Sequence, residues 1–192
     1  MIEYKLVTPG AGKLLIAEPF MRDGNFKRSV VLISAYEDEG VVGFVLNRPT
    51  DFNMHDLMPE FSNDFGFDPH IFLGGPVQPD TLHFIHKLGS EIEGAVKIGE
   101  DIWWGGNAEQ LSEKIKLNLV NEDEIRFFMG YSGWGIEQLD DEIEANTWIV
   151  ANSFDDLVFD EEADNDFWRK AMQKLGNEYK EVSNYPEDLQ WN

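Results

Sequence analysis

Apolar residues come in short unbroken runs over the first quarter of the chain, at 14–17, 29–33 and 41–46. A strand with one wet face alternates apolar and polar positions. Runs that are apolar at every position predict strands covered on both faces. The polar residues 37–40 between the second and third runs mark a hairpin turn, and Pro49 is expected to end the hairpin's second strand, the 41–46 run, because it lacks a ladder donor. Further strands are predicted at 71–73, 81–86, 95–98, 102–104, 125–129 and 148–151.

Three segments carry helical spacing instead. Asn107 is placed to cap a helix with Gln110 three residues on, and Leu111, Ile115 and Leu119 recur every four residues on one face. After Gly135, Ile136, Leu139 and Ile143 form a second stripe, with Glu137 and Asp140 near the positive end of the helix dipole. A third helix is expected from about 164 to 175, with Phe167, Trp168, Ala171, Met172 and Leu175 inward and Gly176 as its stop. The tail from Lys180 is polar and expected to be extended. Strands dominate and do not alternate regularly with helices, so the predicted class is α+β, an irregular α/β sheet, in one domain over 1–192.

Composition narrows the function. The 15 basic and 37 acidic side chains give a formal charge of −22, a field that opposes approach to nucleic acid or an anionic membrane. The only adjacent basic pairs are Lys27-Arg28 and Arg169-Lys170, so no basic run offsets that field locally. With no cysteine, disulfides, thiolate metal sites and cysteine nucleophiles are excluded. The start of the chain lacks a signal-peptide pattern and no apolar run approaches a membrane span of roughly 20 residues, so a cytoplasmic protein is expected.

Candidate chemistry is sparse. Gly130-Tyr131-Ser132-Gly133-Trp134-Gly135 invites comparison with a nucleophile elbow, but Trp134 stands where the second elbow glycine belongs. The segment therefore reads as a glycine-rich turn between strand and helix, with Tyr131 and Trp134 able to flank a planar ligand. His83 and His86 are three apart and point to opposite faces of a strand, which argues against chelation and places them at the surface or a sheet edge. His55 falls in a short helix and His70 in a loop. The acids at 160, 162, 164 and 166 resemble half a calcium loop, yet Asn165 and Ala171 occupy the positions that need glycine and a bidentate carboxylate. Asn47-Arg48-Pro49 and Gly74-Gly75-Pro76 each make a sharp exit from an apolar strand. Arg48 suits a carboxylate or phosphate, or an internal ion pair. The ligand-site candidates are thus Asn47, Arg48, Gly74, Gly75, Tyr131, Ser132 and Trp134; no catalytic set, metal site or cofactor is assigned.

Taken in order, Gly12-Lys13-Leu14-Leu15-Ile16-Ala17 with Pro19, Phe26-Lys27-Arg28-Ser29-Val30-Val31-Leu32, Gly43-Phe44-Val45-Leu46-Asn47-Arg48-Pro49, Gly74-Gly75-Pro76-Val77 and Gly130 to Gly135 followed by Gln138-Leu139 resemble the bacterial AlgH/YqgE family over nearly the whole chain. The resemblance implies a single-domain cytoplasmic protein whose bifurcated, mainly antiparallel sheet folds into a pseudo-barrel with flanking helices. It implies no reaction, and for function only the label of transcriptional regulator. The chain departs from the family at Tyr36, where a histidine is common, and at Ile136-Glu137, where many members have Pro-Gly. The expectation is a non-enzymatic binding or regulatory protein with a protein or small-molecule partner. The alternatives are a small-substrate hydrolase using Ser132 or a histidine, and a DNA-binding regulator disfavoured by charge.

Overall fold

The computed structural model describes residues 7–57, 68–160 and 166–185. Its strands are β1 (Lys13–Ala17), β2 (Val30–Glu37), β3 (Gly40–Val45), β4 (Pro49–Asn53), β5 (His70–Leu73), β6 (Val77–His86), β7 (Val96–Lys97), β8 (Trp103–Trp104), β9 (Ile125–Trp134) and β10 (Trp148–Asn152). The helices are α1 (Met54–Leu57), α2 (Ala108–Lys116), α3 (Ile136–Glu144), α4 (Asp155–Val158), α5 (Phe167–Lys174) and α6 (Asn177–Ser183). The strands form one ten-stranded sheet whose main path runs β10-β1-β2-β3-β9-β6-β8-β7.

The sheet branches at β9. Its first half lies between β6 and β5, with β5 parallel to it (Ile71↔Phe127 to Leu73↔Met129). Its second half lies against β3, from Gly43↔Ser132 to Val41↔Trp134. All other pairings are antiparallel. The path is open, since β10 and β7 at its ends do not pair. This is the α+β class with a bifurcated, mainly antiparallel sheet; it curls without closing into a hydrogen-bonded barrel.

The consecutive apolar runs are explained by three buried clusters. Leu14, Ile16, Val30, Leu32, Phe44 and Phe128 point into the central cluster, which Phe167, Trp168, Ala171 and Met172 of α5 complete. The intervening residues Leu15, Val31, Ile33, Val41 and Val45 face a second cluster, covered by Leu139 of α3. Ile71, Phe84 and Phe127 face a third, covered by Leu111 and Ile115 of α2. Strands β1, β2 and β3 are thus buried on both faces, so their sequences do not alternate.

Several boundaries differ from the sequence expectation. Residues 130–134 are not a turn: β9 continues to Trp134, and Gly135 alone joins it to α3 as the N-cap. Pro49 does not end β3, which stops at Val45; it opens β4, which among the described residues is an edge strand paired only with β5, where a missing donor costs nothing. Asn118, at φ +54°, ends the α2 region, so Leu119 is exposed at 58%. Residues 180–183 are helical in α6, with Tyr179 and Ser183 buried. The third predicted helix is α5; the expected start at 164 and the acids at 162 and 164 lie outside the described residues. His70 opens β5 instead of lying in a loop, whereas His55 falls in α1 as expected.

Candidate functional site

The sequence candidates fall into three groups in space. Gly74, Gly75, Tyr131 and Ser132 meet where the sheet branches. The Gly74 N–H donates to Met129 O at 2.8 Å, and its carbonyl accepts from Val45 N at 2.9 Å and Ser132 Oγ at 3.0 Å. That single residue ties β3, the β5 exit and β9 together. Gly75 packs so closely on β9 that a Cβ there would stand 2.3 Å from the Tyr131 carbonyl. Ser132 is fully buried and its proton is engaged by a carbonyl, which is the geometry of a strand-locking hydroxyl and not of an activated nucleophile.

Asn47 and Arg48 form the second group, at the exit of β3. The Asn47 amide behaves as an extra ladder rung: its Oδ1 accepts from Val30 N at 2.9 Å and its Nδ2 donates to Arg28 O at 2.8 Å. Arg48 donates through a guanidinium N–H to Lys27 O. Trp134 belongs to the second apolar cluster. Its ring meets Phe26 and Trp148 with centroids 5.5 and 5.9 Å away, and both indole N–H groups donate to Glu142 Oε2, at 3.1 Å from Trp134 and 2.7 Å from Trp148. Tyr36 donates to Asp140 Oδ1 at 3.1 Å; its burial, then this partner, raises the phenol above its usual value.

The histidines of β6 do face opposite sides, but only one is near the surface. His86 is fully buried, contrary to the surface placement expected from sequence. Its Nδ1 accepts from Leu88 N at 3.2 Å, so the other nitrogen carries the proton and donates to Gly105 O at 3.0 Å. Burial holds this imidazole below its usual value of 6.5, outweighing the opposing pull of the Gly105 bond. Below 6.5 the unfolded chain therefore takes up a proton that the folded chain refuses, and stability falls until the depressed folded-state value is passed. The expected result is a decline in the urea midpoint from about pH 6.5 downward, smaller in His86→Gln; urea unfolding across pH 5–8 checks it.

His83, on the other face, is half-buried beside an open cleft of about 410 Å³ whose walls include Leu82, Phe84, Trp104, Gly105 and Gly106. No motif marks this cleft in the sequence. Its visible signals are Thr81 and His83 two apart on a strand, hence on one face, and the glycine pair directly after Trp103-Trp104. Among the described residues no group of three or more His, Asp or Glu side chains is placed to hold a metal, and no helix is long and apolar enough to cross a membrane.

The family model described as AlgH-like matches residues 14–180. A UPF0301 protein of Chlorobium limicola is 40% identical over 185 residues, which is 96% of this chain and 96% of that protein. A UPF0301 protein of Cytophaga hutchinsonii is 40% identical over 184 residues, 94% of this chain and 98% of that one. Among solved structures, a Corynebacterium diphtheriae protein superposes with a TM-score of 0.79 at 23% identity, covering 96% of this chain and 95% of that one. The solution structure of the AlgH protein from Pseudomonas aeruginosa superposes with a TM-score of 0.70 at 25% identity, covering 95% and 98%.

Proposed function

The chain belongs to the AlgH-like family, and from that premise we propose that it is a cytoplasmic binding protein, not an enzyme, and that any influence on transcription is indirect. The state of Ser132 carries this reading: the one residue with a nucleophile-like setting in the sequence is wholly buried and donates to Gly74 O. Asn47 is committed in the same way to the backbone of β2 and the segment before it. A charge of −22 works against direct DNA contact, because counterion release by Lys and Arg drives that association.

Native mass spectrometry of the protein purified gently from its own cytoplasm tests the reading. A reproducible bound species is expected, and Ser132→Ala should retain it, losing only about 1 kcal/mol of stability with the neutral hydrogen bond. Hydrolytic turnover abolished by Ser132→Ala, or salt-dependent binding of a generic duplex, would overturn it.

A further inference from the structure

The cleft beside His83 is built in a way that suits a particular ligand. In the antiparallel register Ile85↔Trp104, the next position of β8 on the same face would lie opposite His83 and would be Gly106. The strand does not continue. Gly105 still donates to Phe84 O at 2.9 Å, but it and Gly106 take φ of +65° and +107° and lead the chain away, leaving room beside β6. Gly106 has no alternative, since a Cβ there would stand 2.6 Å from Ile92 Cγ2.

The imidazole next to this gap is held in one orientation and one tautomer. Thr81 Oγ1 has a single proton, which goes to Gln78 O at 2.8 Å. It must therefore accept from His83 Nε2 at 2.9 Å, so Nε2 bears the proton and Nδ1 is a bare acceptor. Among the described residues nothing donates to Nδ1. The rings of Phe44 and Tyr131 fix the imidazole from two sides, with centroids 5.4 and 5.8 Å away. Phe44 also meets Trp104 edge-on at 6.0 Å, so the indole that walls the cleft is positioned by the same core residue.

Resting on the reading of the chain as a binding protein, we propose that this cleft binds a flat nitrogen heterocycle, neutral or cationic, that packs on Trp104 and donates an N–H to His83 Nδ1. The lone pair on Nδ1 selects for a donor, and the indole selects for a planar face. The acidic chain disfavours an anion and accepts a cation. A volume of about 410 Å³ accommodates a bicyclic ring with space for a substituent.

Titration of the full-length, ¹⁵N-labelled protein with benzimidazole tests the proposal, with naphthalene as the same shape without a donor and benzoate as an anion. Saturable shifts of the Trp104 indole and the Gly105 and Gly106 amides are expected with benzimidazole. His83→Phe, which keeps a ring between Phe44 and Tyr131, should weaken benzimidazole roughly tenfold and leave naphthalene unchanged. Trp104→Leu should weaken both. Absence of saturable shifts at these positions, equal benzimidazole affinity in His83→Phe, or a preference for benzoate would overturn it. A species retained in native mass spectrometry by wild type and His83→Phe alike would refute the cleft while sparing the binding-protein reading; a bare chain would count against that reading itself.

Discussion

Arg126→Met should lower stability by roughly 3–5 kcal/mol, one of the two largest effects expected from a single change in this protein. Arg126 is only 1% exposed, within a strand otherwise composed of Ile, Phe and Met at this end. Its guanidinium donates to Val158 O at 2.8 Å and to Leu46 O, and lies 3.9 Å over the ring of Phe72. These contacts join the end of β3, the middle of the sheet and α4. Methionine fills most of the space but cannot donate, so two buried carbonyls lose their partner at about 1–3 kcal/mol each, and the cation–π contact goes with them. Arg126→Lys keeps the charge but not the planar fork, and should recover only part of the loss. Thermal unfolding is the direct measurement: at roughly 2–4 °C per kcal/mol for a chain of this size, Arg126→Met should melt about 10–15 °C lower. A shift of a degree or two would mean that water reaches these carbonyls or that the chain rearranges around them.

The same residue shows what was legible in the sequence. The run 125–129 identified the strand, because Ile, Phe and Met surround the arginine, but nothing local says where the guanidinium goes. Its acceptors lie 80 and 32 positions away. The hairpin β2–β3, the double burial of its strands and the helical stripes of α2 and α3 were readable because each depends on spacing within ten residues or so. The segment 130–134 was misread for the opposite reason: its glycines look like a turn locally, whereas the segment is strand and Gly130 is needed for close packing of β9 against the Gly75 backbone. At the candidate site, sequence grouped Asn47, Arg48, Gly74, Gly75, Tyr131, Ser132 and Trp134 because each follows an apolar strand. Space divides them, and Trp134 belongs to a different cluster from Tyr131. The cleft beside His83 was not foreseen because it arises where a short strand stops, a tertiary event with only a glycine pair to announce it.

Gly74→Ala should prevent the sheet from branching as it does, with a loss above about 4 kcal/mol and a urea midpoint far below that of the wild type. An added Cβ would stand 2.3 Å from Gly130 O, 3.0 Å from Phe44 Cδ1 and 3.1 Å from Phe128 Cβ. The first contact is with backbone that cannot step aside: Gly130, at φ +64°, is enclosed by the carbonyls of Gly75 and Val77. Relief requires β5 to move away from β9, which breaks the Gly74–Met129 bond and separates the Gly74 carbonyl from both Val45 and Ser132. Ser132→Ala is the informative companion, because it deletes one of those bonds without a clash and leaves Val45 N on the same carbonyl. Its cost should stay near 1 kcal/mol. Near-ultraviolet circular dichroism and urea unfolding of the two variants would separate the effects: lost aromatic signal in Gly74→Ala beside a native spectrum in Ser132→Ala. A Gly74→Ala protein that unfolds with nearly wild-type midpoint would show that the three strands are not held together at this residue. Close approach of backbone to backbone, and not a ligand, would then no longer account for the glycines at this branch.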